Sequence, residues 1–393
     1  MLLEGLKVVE MATWVAAPGC AGVMADWGAE VIKVESPYGD TMRSFYPDTS
    51  DSPGNPVFTL ENRGKKGVVI DITRPEGRNA LITLLRQADI FITNVRPGSL
   101  QKLRIDYESL KAELPHLIYG MVTGYGLQGP EANAAAFDMT AFWARSGAAH
   151  ATIPPDQEPF TSRPGFGDHT TALATLSAVL AALHERSTTG KGRLVEASLI
   201  RAGAYAMSWD LAVQLRYGEV VTAQPRHERP VPISGFFRTG DDGWVCIVPR
   251  SEACFDNMMI VIDRPDLLAD PRYSLPIVDL DVVREVRAMI DESFAGMTLD
   301  EVGQKLTDGG LAWAPMGTLA ELAESQMARD AGCFEVVADG WGGSFRSPAP
   351  PARFPEGAPP IGRPAPKLGE HTREVLSAAG LTEVEIGRAM GLA

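Results

Sequence analysis

Short apolar runs and amphipathic stretches alternate along the first third of the chain, which is the pattern of strands and helices that follow one another. Residues 7–11 and 30–35 are each typical of a buried strand, and residues 18–28, with Pro18 at the start, are typical of a helix. These three elements predict a βαβ unit.

The same alternation continues to residue 123. Strands are predicted at residues 67–72, 89–93 and 116–123, and a helix is predicted at residues 75–87 with Thr73 as its N-cap. Strands that alternate with helices predict a parallel sheet with helices packed against its faces.

A different pattern occupies the middle of the chain. Residues 168–186 have the composition of a core helix, residues 195–197 that of a brief strand, and residues 199–216 that of another helix. Residues 218–235 contain three prolines and no periodic pattern, which predicts a linker.

Beyond the linker, the polar turn G-D-D-G separates two apolar stretches within residues 235–248 and predicts a hairpin. Helical patterns continue to about residue 322. The proline-rich residues 347–369 are expected to be extended, and a last helix is predicted at residues 370–379.

Composition narrows the class of protein. A chain of 393 residues exceeds the size at which one hydrophobic core stops growing, so two folding units are expected. The net charge of -14 argues against a nucleic-acid partner, because phosphate contacts require clustered Lys and Arg. No stretch approaches the ~20 uncharged apolar residues of a membrane helix, so no membrane partner is expected. The start M-L-L-E-G-L-K-V-V-E lacks the layout of a signal peptide, which favours the cytoplasm.

The cysteines and a glycine motif exclude two kinds of site. The four cysteines form no C-x-x-C pair and no metal-ligand spacing with the histidines, so free thiols and no metal site are expected. Gly124, Gly126 and Gly129 match G-x-G-x-x-G, but a dinucleotide site needs this motif in the first βα turn of the sheet. A tight glycine turn is the preferred interpretation.

Three groups of basic residues stand out in an acidic chain. The segment N-R-G-K-K begins at Asn62, N-V-R-P-G begins at Asn94 directly after a predicted strand, and Lys102 follows. A solvated loop explains such a group equally well. Open α/β sheets, however, bind ligands beyond the carboxyl ends of their strands, so the groups suggest a site for a polyanion such as a phosphorylated nucleotide.

Asp168 is the candidate for chemistry. It lies between Gly167 and His169 at the predicted start of the core helix, where free amides favour a carboxylate, and an ordinary N-cap would explain it. Alternatively, an ionised carboxylate with small neighbours could attack an activated acyl group. His169 is not expected to act as its base, because adjacent helix residues point in different directions, and no G-x-S-x-G motif supports a serine hydrolase.

Several motifs in order match one known family. L-E-G-L-K-V-V-E, G-A-E-V-I-K-V-E-S-P-Y-G-D-T-M-R, N-R-G-K-K, N-V-R-P-G, G-Y-G-x-x-G-P, P-G-F-G-D, T-G-K-G-R-L-V-E-A-S-L and G-E-H-T-R-E-V-L occur between residues 3 and about 381. The chain resembles the family III CoA transferases, also called the CaiB/BaiF family.

The resemblance implies a fold class and a domain division. It implies an α/β protein with a large Rossmann-like parallel-sheet domain, a smaller α+β domain, and two chains interlocked as a homodimer. The large domain would comprise residues 1–217, the linker 218–235 and the small domain 236–325. Residues 326–393 would then return to the large domain.

The resemblance also implies a reaction. An aspartate in the position of Asp168 attacks the acyl-CoA thioester to form a mixed anhydride, the CoA thiolate returns to give an aspartyl-CoA thioester, and a free acid then takes over the CoA. CoA or acyl-CoA is the substrate, and neither a permanently bound cofactor nor a metal is implied. The CoA and active-site contacts carry over to Val15, Ala16, Asn62, Arg63, Lys65, Asn94, Val95, Arg96, Lys102 and Asp138.

Two alternatives remain. Racemases and epimerases of the family carry a His where this chain has Phe137, and a phenyl ring cannot exchange a proton, which argues against that activity. A CoA-binding scaffold without catalysis is the other alternative.

The chain departs from some family members at two further places. The segment T-A-Q-P-R-H-E-R-P-V-P replaces the glycine-rich loop of members that act on oxalate, which argues against oxalate as a substrate. Ser36 and Ala135 replace basic residues of some members, so no CoA contact is expected from these two.

Aromatic residues near the predicted site are candidates for an acyl pocket, although such residues are more often part of a core. If they line the site, the acyl group is expected to be branched or aromatic, with a 2-hydroxy group or an unsaturated carbon. The candidates are Phe137, Phe142, Trp143 and Trp209.

Overall fold

The computed structural model describes residues 2–45, 55–273, 277, 279–354 and 362–391. The chain divides into two compact units. Unit 1 comprises Met1–Ala149, Phe160–Val220 and Arg329–Ala393, and unit 2 comprises His150–Pro159 and Val221–Ala328. The short segment 150–159, predicted to belong to the large domain, groups with unit 2.

The strands are short and mostly apolar, as expected for a sheet covered by helices. They are β1 (Lys7–Met11), β2 (Glu30–Glu35), β3 (Lys66–Val69), β4 (Ile90–Thr93), β5 (Ile118–Thr123), β6 (Leu194–Ser198), β7 (Gly235–Arg238), β8 (Trp244–Ile247), β9 (Trp313–Pro315), β10 (Phe334–Ala338) and β11 (Ser344–Pro348).

The α-helices range from single turns to one 24-residue helix. They are α1 (Ala16–Asp26), α2 (Pro56–Asn62), α3 (Pro75–Arg86), α4 (Pro97–Leu103), α5 (Tyr107–Leu110), α6 (Ala148–Thr152), α7 (Phe166–Thr189), α8 (Leu199–Ala206), α9 (Ser208–Tyr217), α10 (Ala253–Val261), α11 (Leu280–Ala295), α12 (Leu299–Asp308), α13 (Leu319–Glu324), α14 (Gln326–Asp330), α15 (Thr372–Ala378) and α16 (Glu383–Ala389).

Short helices of other types complete the chain. A π-helical segment spans Asp138–Ala144, and 3₁₀ turns span Thr41–Ser44, Arg226–Glu228, Pro265–Ala269 and Pro271–Tyr273.

Unit 1 is built on a six-stranded parallel sheet in the order β3-β2-β1-β4-β5-β6. This is the Rossmann strand order, and it confirms the predicted α/β class. The chain runs to one side of β1 through β2 and β3, then returns to the other side through β4, β5 and β6. The loops after β1 and β4 therefore diverge at the carboxyl edge of the sheet, where such folds leave a crevice for ligands.

The two faces of the sheet are covered by different helices. One apolar core contains residues of α3 and of the C-terminal helices α15 and α16, and the other contains residues of α1 and α7. Helix α7 is rich in alanine because it packs closely against α1 and the sheet.

Unit 2 has its own core. Strands β7, β8 and β9 form an antiparallel sheet that packs with α10, α11 and α12. The predicted hairpin is confirmed as β7 and β8. Residues 218–235, predicted as a linker, contain the 3₁₀ turn Arg226–Glu228 but no strand before β7 and no α-helix beyond α9.

Some predicted elements were wrong in detail. The helix predicted at residues 199–216 is two helices, because α8 ends at Ala206 and α9 begins at Ser208. Thr73 is not a cap: Arg74 occupies the N-cap of α3, and the Thr73 hydroxyl donates to Asp71 at 2.6 Å. Strands β9, β10 and β11 and helix α16 were not predicted, since each is short and lacks a long apolar run.

Candidate active site

Helix α7 places Asp168 in its first turn. The helix begins at Phe166 after Gly165, whose φ of 86° is a left-handed conformation that favours glycine. Asp168 is thus the third helical residue and not the N-cap, so the N-cap interpretation is wrong. Its carboxylate lies at the positive end of the helix dipole, where an anion is stabilised.

A second carboxylate comes from the π-helical segment. Asp138 Oδ1 accepts a hydrogen bond of 3.1 Å from the backbone N–H of Gly167 in the first turn of α7. A Cβ at Gly167 would lie 2.2 Å from Phe142 and 2.5 Å from Asp138 Oδ1, so only glycine allows this close packing. The motif G-F-G-D therefore combines a left-handed start with a close approach of Asp138 to the helix.

The two carboxylates are electrostatically coupled. Burial raises the pKa of Asp168 to about 7, and the charge of Asp138 adds to this rise while His169 opposes it. Burial also raises the pKa of Asp138, against the backbone N–H groups of Gly167, Gly165 and Asp168. Asp138 Oδ2 is buried and has no hydrogen-bond partner among the residues that the structure describes. A poorly solvated carboxylate such as Asp168 is suited to nucleophilic attack.

His169 contacts α2. Its Nε2 lies 2.8 Å from Oε1 of Glu61, and Glu61 is buried. The hydrogen bond to Glu61 raises the pKa of His169 against the effect of burial, so the protonated imidazole is favoured. Glu61 was not among the residues predicted from the sequence, where its one local signal is an acid directly before the basic segment N-R-G-K-K.

The loops at the carboxyl edge bring some of the predicted CoA contacts together. Asn94 Oδ1 accepts from Thr13 N at 3.1 Å and Asn94 Nδ2 donates to Thr13 O at 2.7 Å, which ties the loop after β4 to the loop after β1. Val15 and Ala16, at the start of α1, are buried beside this loop.

The exposed basic residues of this edge lie just beyond β4. Val95 is partly buried, whereas Arg96, directly before α4, and Lys102, in its last turn, are exposed. Two cations in contact with solvent near a ligand crevice fit a phosphate-bearing ligand. Their contact with CoA stays a prediction.

The first basic group is not on the surface. Arg63 is buried in a salt bridge of 2.7 Å with Asp26, and it also donates to Ser347 and Pro348. Lys65 Nζ is buried 2.5 Å from Glu10 and donates to Asn62 Oδ1 at 2.9 Å. The solvated-loop interpretation is therefore wrong for Arg63 and Lys65, and any contact of these side chains with CoA stays a prediction.

Lys65 belongs to a buried network of charges. Glu10 of β1 bridges Lys65 and Lys33, and Lys33 also pairs with Asp40 at 3.0 Å. All four side chains have no exposed surface or almost none. Because each cation already has a carboxylate partner, the network holds β1, β2 and the loop before β3 together.

The aromatic candidates separate into core and surface. Phe142 and Trp143 are buried, and Trp143 Nε1 donates to Phe160 O at 2.9 Å, so these two belong to the core. Trp209 on α9 is exposed. Only Phe137, which directly precedes Asp138, is both partly exposed and next to a candidate active-site residue.

Phe137 is part of an aromatic cluster with Trp14 and Phe45. The ring centroids of Trp14 lie 5.4 Å from Phe137 and 5.8 Å from Phe45, in edge-to-face geometry. Trp14 has a φ of 68°, a left-handed conformation that is strained for a residue with a side chain and that is enriched at functional sites. The aromatic cluster thus forms an apolar surface between the loop after β1 and Asp138.

Neither a metal-binding cluster nor a membrane-spanning helix occurs in the described part of the chain. Residues 2–45, 55–273, 277, 279–354 and 362–391 contain no group of three His, Cys, Asp or Glu side chains able to hold a metal ion. Within the same ranges, no helix is long and apolar enough to cross a membrane.

Comparison with known proteins matches nearly the whole chain. Residues 3–372 match the family model described as CoA-transferase family III. The chain is 35% identical to (R)-2-hydroxy-4-methylpentanoate CoA-transferase of Clostridioides difficile, over 98% of this chain and 97% of that protein. It is 32% identical to cinnamoyl-CoA:phenyllactate CoA-transferase of Clostridium sporogenes, over 98% of this chain and 95% of the relative. A crystal structure of a CAIB/BAIF family protein from Brucella suis superimposes with a TM-score of 0.84 and 28% identity, covering 96% of this chain and 99% of the other.

Proposed function

The chain belongs to CoA-transferase family III and is a CoA-transferase, and we propose that Asp168 is the nucleophile with which it moves CoA from an acyl-CoA to a free acid. One observation supports the role of Asp168 most directly. It is a partly buried carboxylate at the positive end of α7, held close to a second carboxylate. An anion placed there is poorly solvated and oriented by the helix, as a nucleophile requires.

The proposed reaction proceeds through covalent intermediates on Asp168. A carboxylate oxygen of Asp168 attacks the thioester carbonyl of the donor, and the C–S bond breaks. CoA departs as the thiolate, and the donor acyl group is now joined to Asp168 in a mixed anhydride. The thiolate then attacks the Asp168 carbonyl, which releases the donor acid and forms an aspartyl-CoA thioester. The acceptor carboxylate attacks this thioester to form a second anhydride, and the thiolate attacks the acceptor carbonyl, which frees Asp168.

The fold supplies the electrostatic support for these steps. Each attack places negative charge on an oxygen near the first turn of α7, where the helix dipole stabilises it. The overall reaction exchanges one CoA thioester for another of similar energy, so transfer needs no external energy source. No resident cofactor takes part in the proposal, because CoA enters as part of the substrate.

The proposed CoA site runs along the carboxyl edge of the sheet. Arg96 and Lys102 would contact phosphate groups, because they are exposed at the end of β4 and on α4. The pantetheine arm of CoA would lead from these phosphates toward Asp168, lined by Val15, Ala16, Asn94 and Val95. Asp138 would lie beside the reacting thioester.

The aromatic cluster supports a substrate class. Trp14, Phe45 and Phe137 offer an apolar surface next to Asp138, which suits a branched or aromatic acyl group. The relatives named for (R)-2-hydroxy-4-methylpentanoate and for cinnamoyl-CoA and phenyllactate act on such groups. We therefore propose branched or aromatic acids, with a 2-hydroxy group or an unsaturated bond next to the carboxyl, as donor and acceptor.

An oxygen-18 experiment tests the mechanism. In the proposed sequence, one oxygen of the acceptor carboxylate remains on Asp168 after each turnover. Turnover with a labelled acceptor should therefore add oxygen-18 to the peptide that contains G-F-G-D-H, as measured by mass spectrometry. A control without donor should leave the peptide unlabelled.

The same experiment, run with a panel of donors, tests the substrate class. Branched and aromatic acyl-CoA donors should label the peptide faster than succinyl-CoA does. Rapid transfer that leaves Asp168 unlabelled would contradict the covalent mechanism, whereas labelling with succinyl-CoA alone would contradict only the substrate class.

We further propose that two chains form the interlocked homodimer that the family resemblance implies. Helix α9 has no buried residue, and its Trp209, Leu215 and Tyr217 are exposed by 85%, 78% and 76%. Tyr205 at the end of α8 is also exposed. A helix that exposes large apolar side chains on several sides is typical of a surface covered by a partner, and a second copy of the chain would cover it.

Light scattering coupled to size-exclusion chromatography tests the dimer. The wild-type chain is expected to elute with the mass of two chains. Replacing Trp209 and Leu215 by Glu should weaken the dimer, because charges would be buried without partners. The matched control Val384→Glu changes an exposed apolar residue of α16 and should leave the mass unchanged. A wild-type mass of one chain would contradict the proposal.

The free thiols support the predicted location. Within the described residues, Cys20, Cys246, Cys254 and Cys333 are unpaired. Unpaired cysteines are typical of a reducing compartment, so we propose the cytoplasm.

A further inference from the structure

Glu61 and His169 form a pair beside the candidate nucleophile. His169 is the residue after Asp168 in α7, and its Nε2 lies 2.8 Å from Glu61 Oε1. The two partners differ in their surroundings: the Glu61 side chain is 3% exposed and that of His169 is 51% exposed. A buried carboxylate thus fixes one end of a partly exposed imidazole.

Helix α1 is shaped to accommodate Glu61. A Cβ at Gly19 would lie 2.7 Å from Glu61 Oε2, and a Cβ at Gly22 would lie 2.7 Å from the Glu61 carbonyl oxygen. Alanine at either position would therefore displace α2 or the carboxylate. The two glycines, one helical turn apart, hold Glu61 against α1 with its carboxylate directed at His169.

The charges around the pair define its effect. His169 interacts with Glu61, Asp168 and Asp138. Glu61 in turn interacts with Asp26 and Lys65, which have their own buried partners in Arg63 and Glu10. Among these groups, the imidazole is the cation that acts on Asp168, and it opposes the negative charges of Asp138 and Glu61, which both raise the pKa of Asp168.

We propose that Glu61 is a positioning residue that keeps His169 protonated beside Asp168, and that this cation favours the ionised form of the Asp168 carboxylate. The inference rests on the proposed role of Asp168 as nucleophile. Without the cation, Asp138 and burial would both favour the protonated carboxyl, which cannot attack a thioester.

The pair makes a specific prediction for three variants. In Glu61→Gln the negative charge of Glu61 is lost and the protonated imidazole loses its hydrogen-bond partner, so the two opposing effects on Asp168 become weaker together. In His169→Gln the buried negative charge of Glu61 remains without its cation, which disfavours ionisation of Asp168 more strongly. The double variant removes that negative charge again, and its behaviour should return toward that of Glu61→Gln.

The first readout is the acid limb of the pH profile of kcat/KM, which reports ionisation of the free enzyme. His169→Gln is expected to move this limb upward by roughly one pH unit, since a single nearby charge shifts a pKa by about that amount. Glu61→Gln should move it less, and adding Glu61→Gln to His169→Gln should move it back down. If Glu61 and His169 had only a structural role, the variants would lower the rate without shifting the acid limb in this order.

The second readout does not depend on catalysis. Carbon-13 labelling of histidine Cε1 allows the six imidazoles to be titrated by NMR, and the His169→Gln variant identifies the signal of His169. The pKa of His169 should lie above its ordinary value of 6.5 in the wild type and should be lower in Glu61→Gln than in the wild type. If Glu61→Gln does not fold, the wild-type titration and the profile of His169→Gln decide the question.

A matched control and two contrary results complete the experiment. Glu185→Gln makes the same change on the exposed surface of α7, where Glu185 pairs with Arg193, and should alter neither readout. A pKa of His169 at or below 6.5 in the wild type, or an acid limb that His169→Gln leaves in place, would overturn the inference. Absence of oxygen-18 on Asp168 would overturn the proposed function instead, and the NMR result would be unaffected.

Discussion

Replacing Asp168 by Asn is expected to lower kcat/KM by roughly 10⁴-fold or more, the loss typical of removing a covalent nucleophile. Asn has nearly the same shape as Asp but cannot form an anhydride with the acyl group. Helix α7 should persist, because Gly165 and not Asp168 is its N-cap. Initial rates of CoA transfer, measured by chromatography of the acyl-CoA products, check the prediction.

The same variant should be more stable than the wild type at pH 8. Burial raises the pKa of Asp168 from its ordinary value of 3.8 to about 7, so folding favours the protonated carboxyl. Ionisation therefore costs folding free energy, increasingly so from pH 3.8 to about 7 and fully above that pH. The Asp168→Asn variant avoids this cost. Its melting temperature should exceed that of the wild type by about 2–4 °C or more at pH 8, and by less at pH 5.

Asp300→Asn serves as the control, because Asp300 is an exposed carboxylate in the first turn of α12. It should leave both the rate and the pH dependence of melting unchanged. Substantial transfer by Asp168→Asn would refute a covalent role for Asp168. A fall in its melting temperature at pH 8 would show that the carboxylate stabilises the fold, contrary to its raised pKa.

The second large effect is a steep dependence of the rate on pH. Because the ionised form of Asp168 is the nucleophile and its pKa is about 7, kcat/KM should be nearly constant above pH 8 and fall below pH 7. The expected loss approaches tenfold for each pH unit, which amounts to about 100-fold at pH 5. Rates measured between pH 5 and pH 9 at low donor concentration give this profile.

Asp138→Asn should shift the profile in a known direction. After burial, the charge of Asp138 is the largest cause of the raised pKa of Asp168, so its removal should move the acid limb to lower pH. Asn retains an oxygen that can accept the Gly167 N–H, which preserves the contact with α7. A limb that stays in place would show that Asp138 does not interact electrostatically with the nucleophile.

Together, these variants separate two roles for carboxylates in one site. Loss of Asp168 should abolish transfer at every pH, whereas loss of Asp138 changes the pH at which Asp168 is ionised. The opposite directions expected for Asp138→Asn and His169→Gln are informative, since a general loss of structure would move both profiles in the same way. The first turn of α7 thus carries one nucleophile, Asp168, whose pKa is raised by the anion Asp138 and lowered by the cation His169.

Much of unit 1 could be predicted from the sequence because its elements are long or strongly apolar. Strands β1 and β2 have the predicted bounds, and α7 extends the predicted helix by a few residues at each end. Short elements such as β9 and α16 escaped prediction, because a few residues carry too little periodicity to be distinguished from a loop.

Some residues of the candidate active site could be predicted from the sequence and others could not. Asp168 could be selected because glycines on one side and an apolar helix on the other are local signals. The opposite environments of Arg63 and Arg96 could not be predicted, since both are basic residues in short polar segments. Arg63 is buried because Asp26, 37 positions away, lies at the end of α1 against it.

The sequence by itself determined the alternation of strands and helices, the glycine-lined start of α7 and the family to which the chain belongs, because these depend on residues close together in the chain. Only the tertiary structure decided which charges face one another. Asp138 and Glu61 reach the start of α7 from segments 30 and 107 positions before Asp168, through the packing of the π-helical segment and of α2. The pKa of a carboxylate depends on burial and on charges a few ångströms away, and these distances exist only once the chain is folded.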